Sequence, residues 1–191
     1  DNRAQHGRGL AAFPLPPNHP QLATIYEKSG AFVLGPFKGN AFWQGLGGPS
    51  EVQNDGDPLA RYDRQADRWV VSQFALPNFP DGPFYQCFAV SITNDPTGEY
   101  WQYEFETSET FFTYYGKIGI WPDAYYMSFN MSGLRAKSGA GDVYASRFPS
   151  GEAAGKLTGN ATMRKGEEAP DSVSTQNSPC RLVRGVTAAI A

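Results

Sequence analysis

Gly56-Asp57-Pro58-Leu59-Ala60-Arg61-Tyr62-Asp63 sets an aspartate beside a proline and then runs into a short strand-like stretch. Sixty-six residues later, Trp121-Pro122-Asp123-Ala124-Tyr125-Tyr126-Met127-Ser128 does the same. Three more strand-like runs lie between them, with turn signals at their ends. One four-stranded unit followed by the start of the next is the pattern of a propeller-type array. The expected fold is therefore all-β, a partial β-propeller of four-stranded antiparallel blades. In such an array the first strand of each unit lies on a central axis, where Asp57 and Asp123 would gather.

Outward from that motif, the strands are read from alternation and turn chemistry. Gln21–Glu27 and Ala31–Phe37 flank Lys28-Ser29-Gly30, a hairpin with glycine where a positive φ is needed. Residues 42–48 form an aromatic, glycine-rich crossing. Leu59–Asp63 pairs with Arg68–Leu76 across Arg64-Gln65-Ala66-Asp67. Phe84–Thr93 is the most apolar run and the expected central strand. Asn94-Asp95-Pro96-Thr97-Gly98 is a tight turn. Glu99–Thr107 alternates Tyr100, Gln102, Glu104 and Glu106 against Trp101, Tyr103 and Phe105, as a half-buried outer strand does. Phe111–Tyr115 leads back inward, and Tyr125–Asn130 begins the next unit. The count is the end of one blade, one whole blade, and the beginning of a third.

Composition agrees with many short strands. The 191 residues include 21 Gly and 15 Pro, aromatics make up 14%, and charged residues only 18%. A net charge of −3 gives no general attraction to nucleic acid or anionic lipid. No apolar run approaches the ~20 residues of a membrane span. The chain begins at Asp1 without methionine, which points to removal of an upstream segment or to a fragment. Two cysteines, Cys87 and Cys180, permit one disulfide; Cys87 falls in a core strand and reads better as a buried free thiol.

The aromatics divide the chain. Of 27, only Tyr144 and Phe148 follow residue 131. The expected organisation is an irregular N-terminal segment (1–17), propeller blades (18–131), and a low-aromatic, mostly irregular tail (132–191). Within the tail only a short strand at Asp142–Ser146 is expected. A segment this poor in large apolar groups cannot offset the entropy of ordering itself. Its last residues, Leu182–Ala191, are apolar enough to dock. A closed propeller needs about four to eight blades, so closure calls for a longer parent protein, for self-association, or for an open stack.

Residues 56–77 (GDPLARYDRQADRWVVSQFALP), 84–106 (FYQCFAVSITNDPTGEYWQYEFE) and 115–131 (YGKIGIWPDAYYMSFNM) closely resemble a segment of large bacterial secreted or surface proteins. Residues 32–48 (FVLGPFKGNAFWQGLGG) are similar to that segment's lead-in. The resemblance covers about residues 18–131. It implies a β-propeller, often joined to adhesion-like modules, and an extracellular, cell-surface or periplasmic location, but no known activity. Residues 133–191 depart from the pattern, which continues with further apolar strands.

Asp57 and Asp123 are the candidate ligand-binding residues. At the mouth of a funnel such carboxylates can hydrogen-bond a sugar, hold a cation, act as acid and base, or simply cap backbone N–H groups, which is the plainest role. A glycoside hydrolase would need two carboxyls a few ångströms apart; Asp57 and Asp123 could supply them, with Glu51, Asp55 and Glu104 less well placed. Ser91–Gly98 looks somewhat like turns in five-bladed glycoside hydrolases. Asn54, Asp55 and Asp57 place three oxygen-bearing side chains within four residues, a weak candidate for calcium, which takes six to eight oxygens. Arg61, Asp63, Asp67 and Arg68 are placed for ion pairs across the hairpin. Trp43 sits among glycines and is the expected exposed aromatic, whereas Trp69, Trp101 and Trp121 are expected in the core between blades. His6 and His19 lie far apart without cysteine neighbours, and the serines lack a nucleophile elbow. The leading expectation is a non-catalytic module of an exported protein that binds a glycan or a protein partner. A glycoside hydrolase or lyase is the alternative, and a purely structural repeat the second.

Overall fold

The computed structural model of the chain describes residues 8–13, 21–122, 124–132, 142–149, 162–165 and 180–183. Its strands in chain order are β1 (Arg8–Phe13), β2 (Leu22–Glu27), β3 (Phe32–Lys38), β4 (Gly56–Asp63), β5 (Arg68–Ala75), β6 (Phe84–Ser91), β7 (Tyr100–Ser108), β8 (Phe112–Trp121), β9 (Ala124–Ser132), β10 (Asp142–Pro149), β11 (Thr162–Lys165) and β12 (Cys180–Val183). They form three antiparallel sheets, ordered β1-β2-β3, β12-β7-β6-β5-β4 and β11-β10-β9-β8. The described architecture is all-β, as the alternation predicts.

Turn chemistry sets the hairpins. Gly30 adopts φ +89°, and its N–H donates to the Glu27 carbonyl (2.9 Å), closing β2 onto β3. Between β4 and β5, Asp63 Oδ1 accepts the N–H groups of Gln65 (2.9 Å) and Ala66 (3.0 Å). Between β6 and β7, Asp95 Oδ1 accepts the Thr97 N–H (2.9 Å), and the Asp95 carbonyl accepts that of Gly98 (3.1 Å).

The middle sheet is buried on both faces, and that places the core. On one side Trp69, Val71, Cys87, Ala89 and Tyr100 pack against Ala23, Ile25 and Phe37 of the first sheet and against Phe42 and Trp43 of the crossing. On the other side Val70, Phe88, Val90, Tyr103 and Phe105 pack against Tyr125, Met127 and Phe129 of the third sheet. Each large apolar side chain buried in this way contributes roughly 1.5–3 kcal/mol. The crossing from β3 to β4 is a 3-10 turn (Gly39–Trp43) followed by a four-residue helix, α1 (Pro49–Val52). It lies over the middle sheet and is pinned there by several hydrogen bonds. Trp43 Nε1–H donates to the Phe88 carbonyl (3.0 Å), Gln102 Nε2–H to the Phe42 carbonyl (2.7 Å), and the Ser50 N–H to Glu104 Oε2 (2.6 Å).

Two expectations change here. β7 is not half-buried: Tyr100 and Gln102 are covered by the crossing while Tyr103 and Phe105 face the third sheet, and β12 pairs beyond it. The second motif does not open a unit. β8 continues to Trp121 and turns back into β9, so Ala124–Ser132 is the second strand of its sheet and β8 is the first. The matching first strands are β4 and β8. Arg8–Phe13 pairs with β2, and the 132–191 segment contributes β10, which extends to Pro149, as well as β11 and β12. Backbone pairing to an existing edge orders such stretches without requiring many large side chains. Asp63 is buried and accepts a hydrogen bond from the Tyr125 hydroxyl (2.9 Å), and the partners of Asp67 include the Tyr62 hydroxyl and Asn94 Nδ2–H (2.8 Å).

Candidate functional site

β4 and β8 each carry a β-bulge near their start. On β4, Asp57 and Pro58 stand opposite Gln73 alone, between the pairs Gly56–Phe74 and Leu59–Ser72. On β8, Tyr115 and Gly116 stand opposite Phe129 alone, between Tyr114–Asn130 and Lys117–Ser128. At each bulge a non-glycine residue is left-handed, Asp57 at φ +46° and Tyr115 at φ +53°. Such backbone costs on the order of 1–3 kcal/mol and persists only where its surroundings impose it. Asp57 also precedes a proline, which biases a residue toward extended backbone. The two bulges meet: Asp57 Oδ2 accepts the Tyr115 N–H (3.2 Å).

Exposed aromatic rings lie on the segments around this meeting point. Tyr115 is 60% exposed, Phe79 on the β5–β6 loop 54%, and Phe111 just before β8 47%. Phe112 packs edge-on against Phe79 (5.9 Å between centroids) and Phe74 (5.4 Å) and stacks on Tyr114 (5.5 Å). The Lys117 ammonium lies 3.3 Å from the centre of the Tyr115 ring, a cation–π contact.

Of the residues singled out from sequence, Asp57 is exposed at this site, with one oxygen committed to a backbone N–H. Asp123 lies outside the described residues. Asn54, Asp55 and Asp57 direct their oxygens to three different places: Asn54 Oδ1 accepts the Asn40 N–H (3.1 Å), Asp55 Oδ2 that of Leu76 (2.6 Å), and Asp57 Oδ2 that of Tyr115. Partial burial raises the pKa of Asp55, against the opposing pull of the Leu76 bond. Among the described residues, no three His, Cys, Asp or Glu side chains are grouped to hold a metal ion. Glu51 and Glu104 serve the crossing, Glu51 Oε2 accepting the Gly47 N–H (2.7 Å) and Glu104 Oε2 that of Ser50.

Two tryptophans exchange their expected environments. Trp43 is fully buried, because its glycine-rich loop folds across a sheet face instead of projecting from the molecule. Trp121 is 67% exposed at the end of β8. Trp69 is buried with its indole N–H on the Asn94 carbonyl (3.1 Å), and Trp101 is half-buried against the core. Cys87 is a buried free thiol beneath α1, bonded to the Ser50 hydroxyl, and burial raises its pKa well above the ordinary value. The rings of Phe79, Phe111 and Tyr115 were not singled out from sequence. The available signal was Tyr114-Tyr115 itself, since two adjacent aromatics in a strand cannot both face one core unless the strand bulges.

Among known proteins, the chain matches no family model, no curated protein and no solved structure.

Proposed function

We propose that the chain is a non-catalytic binding module, part of a β-propeller in an exported protein, that engages a partner protein where β4 and β8 meet. The observation that carries this reading is the exposure of the rings at Phe79, Phe111 and Tyr115, on segments that adjoin the two bulges at Asp57 and Tyr115. Large aromatics held in water cost free energy unless something covers them, and aromatic residues are enriched where partners bind. Asp57 spends an oxygen on a backbone N–H, which favours a positioning role over acid–base work.

The propeller reading is supported by the order of the middle strands, β4-β5-β6-β7, and by the approach of the two first strands to each other. Export rests on the resemblance of residues 18–131 to secreted and surface proteins. A second reading, a glycan stacking on an aromatic platform, is favoured by Trp121, beside which Gly119 lies against Tyr126.

Selection from a peptide-display library and binding to a glycan array, run on the wild type, Tyr115→Ser/Phe111→Ser and Trp121→Ala, tests both readings. A peptide ligand lost only in the double variant is the expected result. A glycan ligand lost only in Trp121→Ala would favour the second reading. Turnover of a chromogenic glycoside, abolished by Asp57→Asn, would overturn the non-catalytic assignment. Light scattering addresses closure: a compact assembly of two or more chains means blades are completed between subunits, a monomer with an expanded radius means further blades belong to a longer protein, and a compact monomer means an open stack.

A further inference from the structure

The exposed rings at the β4–β8 junction have a one-sided electrostatic setting. Asp55 and Asp57 lead into β4, Asp81 lies two residues beyond Phe79, and Glu109 lies two residues before Phe111; all four are exposed. Among the described residues, β8 carries one cation, Lys117, and β4 carries one, Arg61, four residues beyond Asp57. That lysine shows what the surface accepts, since its ammonium sits on the Tyr115 ring and also donates to the Gly116 carbonyl (3.4 Å).

The surface is also held in shape. Ser108 Oγ accepts the N–H groups of Thr110 (3.2 Å) and Phe111 (2.9 Å), fixing the turn that presents Phe111. The Phe79 loop is closed by Asp81 N–H on the Asn78 carbonyl (2.9 Å). Gly82 packs so tightly on the Glu109 backbone that a Cβ would collide with its carbonyl oxygen, so the two segments lie in direct contact. A ring surface ordered in advance loses little entropy when a partner arrives.

We propose that this surface binds a lysine- and arginine-rich peptide segment of a partner protein. This rests on the binding-module reading and names its partner. Ammonium and guanidinium groups gain from the faces of exposed rings, and the apolar stems of Lys and Arg cover ring surface at the same time. Carboxylates at the rim steer a cationic segment inward and repel phosphate-bearing or uronate-bearing ligands.

The test uses the whole chain and two synthetic dodecapeptides, one alternating lysine with leucine and one alternating glutamine with leucine. Binding is followed by calorimetry at low and high salt. The lysine peptide should bind saturably at one site, at least tenfold more tightly than the glutamine peptide, and weaken as salt is raised. Asp81→Asn/Glu109→Gln and, separately, Phe111→Ser should each lose about tenfold or more with unchanged circular dichroism. Glu99→Gln, at the opposite end of β7, should bind as the wild type does and so controls for bulk charge. Equal binding of both peptides would overturn the cationic assignment in favour of a neutral apolar segment. Wild-type affinity in the Asp81/Glu109 variant would overturn it as well. If display selection yields a non-basic peptide that still requires Phe111 and Tyr115, the binding-module reading stands and only the cationic partner falls. If neither peptide binds and selection yields nothing at this surface, both fall.

Discussion

Removing the Tyr125 hydroxyl should loosen the third sheet from the middle one. The Asp63 carboxylate is 2% exposed, and its Oδ1 caps the β4–β5 turn through the N–H groups of Gln65 and Ala66. Its Oδ2 accepts the Tyr125 hydroxyl at 2.9 Å, and Tyr125 is itself buried on β9. A hydrogen bond to a charged, buried acceptor contributes about 1.5–3 kcal/mol. Tyr125→Phe keeps the ring and removes only that donor, so a loss of about 2 kcal/mol is expected. Asp63→Ala also removes the turn cap and leaves the Tyr125 hydroxyl without this acceptor, so its cost should be greater, roughly 3 kcal/mol. In Asp63→Ala/Tyr125→Phe neither half of the bond remains, and the two losses should overlap by more than about 1 kcal/mol. Urea unfolding followed by tryptophan fluorescence, with the slope held constant across variants, measures all three. Additive losses in the double variant, or a Tyr125→Phe cost below about 0.5 kcal/mol, would refute the buried carboxylate–hydroxyl bond as a tie between the sheets.

Cys87 should ignore thiol reagents in the native protein and react at once in denaturant, because burial keeps it protonated and out of reach; rapid native-state labelling would contradict this. Tyr62 should titrate late. Desolvation first, then its bond to Asp67 and the charges of Asp67 and Asp63, push its pKa up to about 12. In the unfolded chain tyrosine ionises near ~10, so the stability linked to this shift is whole below that pH and is lost as pH rises through the folded value. Spectrophotometric titration should show that late tyrosine move down in Asp67→Asn. Gly82→Ala should destabilise by about 1–3 kcal/mol, since the neighbour it meets is the Glu109 backbone, which cannot rotate aside; a thermal melt matching the wild type would contradict this.

Local signals were legible where the chemistry is local. Asp95, Pro96, Thr97 and Gly98 spell a turn because side-chain and backbone bonds close within a few residues, and the turn is there. Phe84–Thr93 reads as a central strand because it is apolar on both faces, and both faces of the strand it forms, Phe84–Ser91, are covered. The repeat was misplaced because an aspartate beside a proline looks alike at the entry of a strand and at the tip of a hairpin. Gly116 and Gly119 also lower the apparent strand character of β8, although beyond its bulge it stays paired with β9 as far as Trp121. Of the candidate site, Asp57 was legible, and the rings that meet it were not. Tyr115 lies fifty-eight residues from Asp57 in the chain, and only the facing bulges bring the two together.

What the sequence by itself determined is the all-β class, the hairpin turns and the apolar strands at the centre, all of which follow from alternation and turn preferences that act over a few residues. Tertiary structure alone decided which faces are covered: it buried Trp43 by folding a glycine-rich crossing over a sheet, and left Trp121 in water by ending a strand beneath it. Burial depends on what packs from elsewhere in the chain, and no local pattern carries that information.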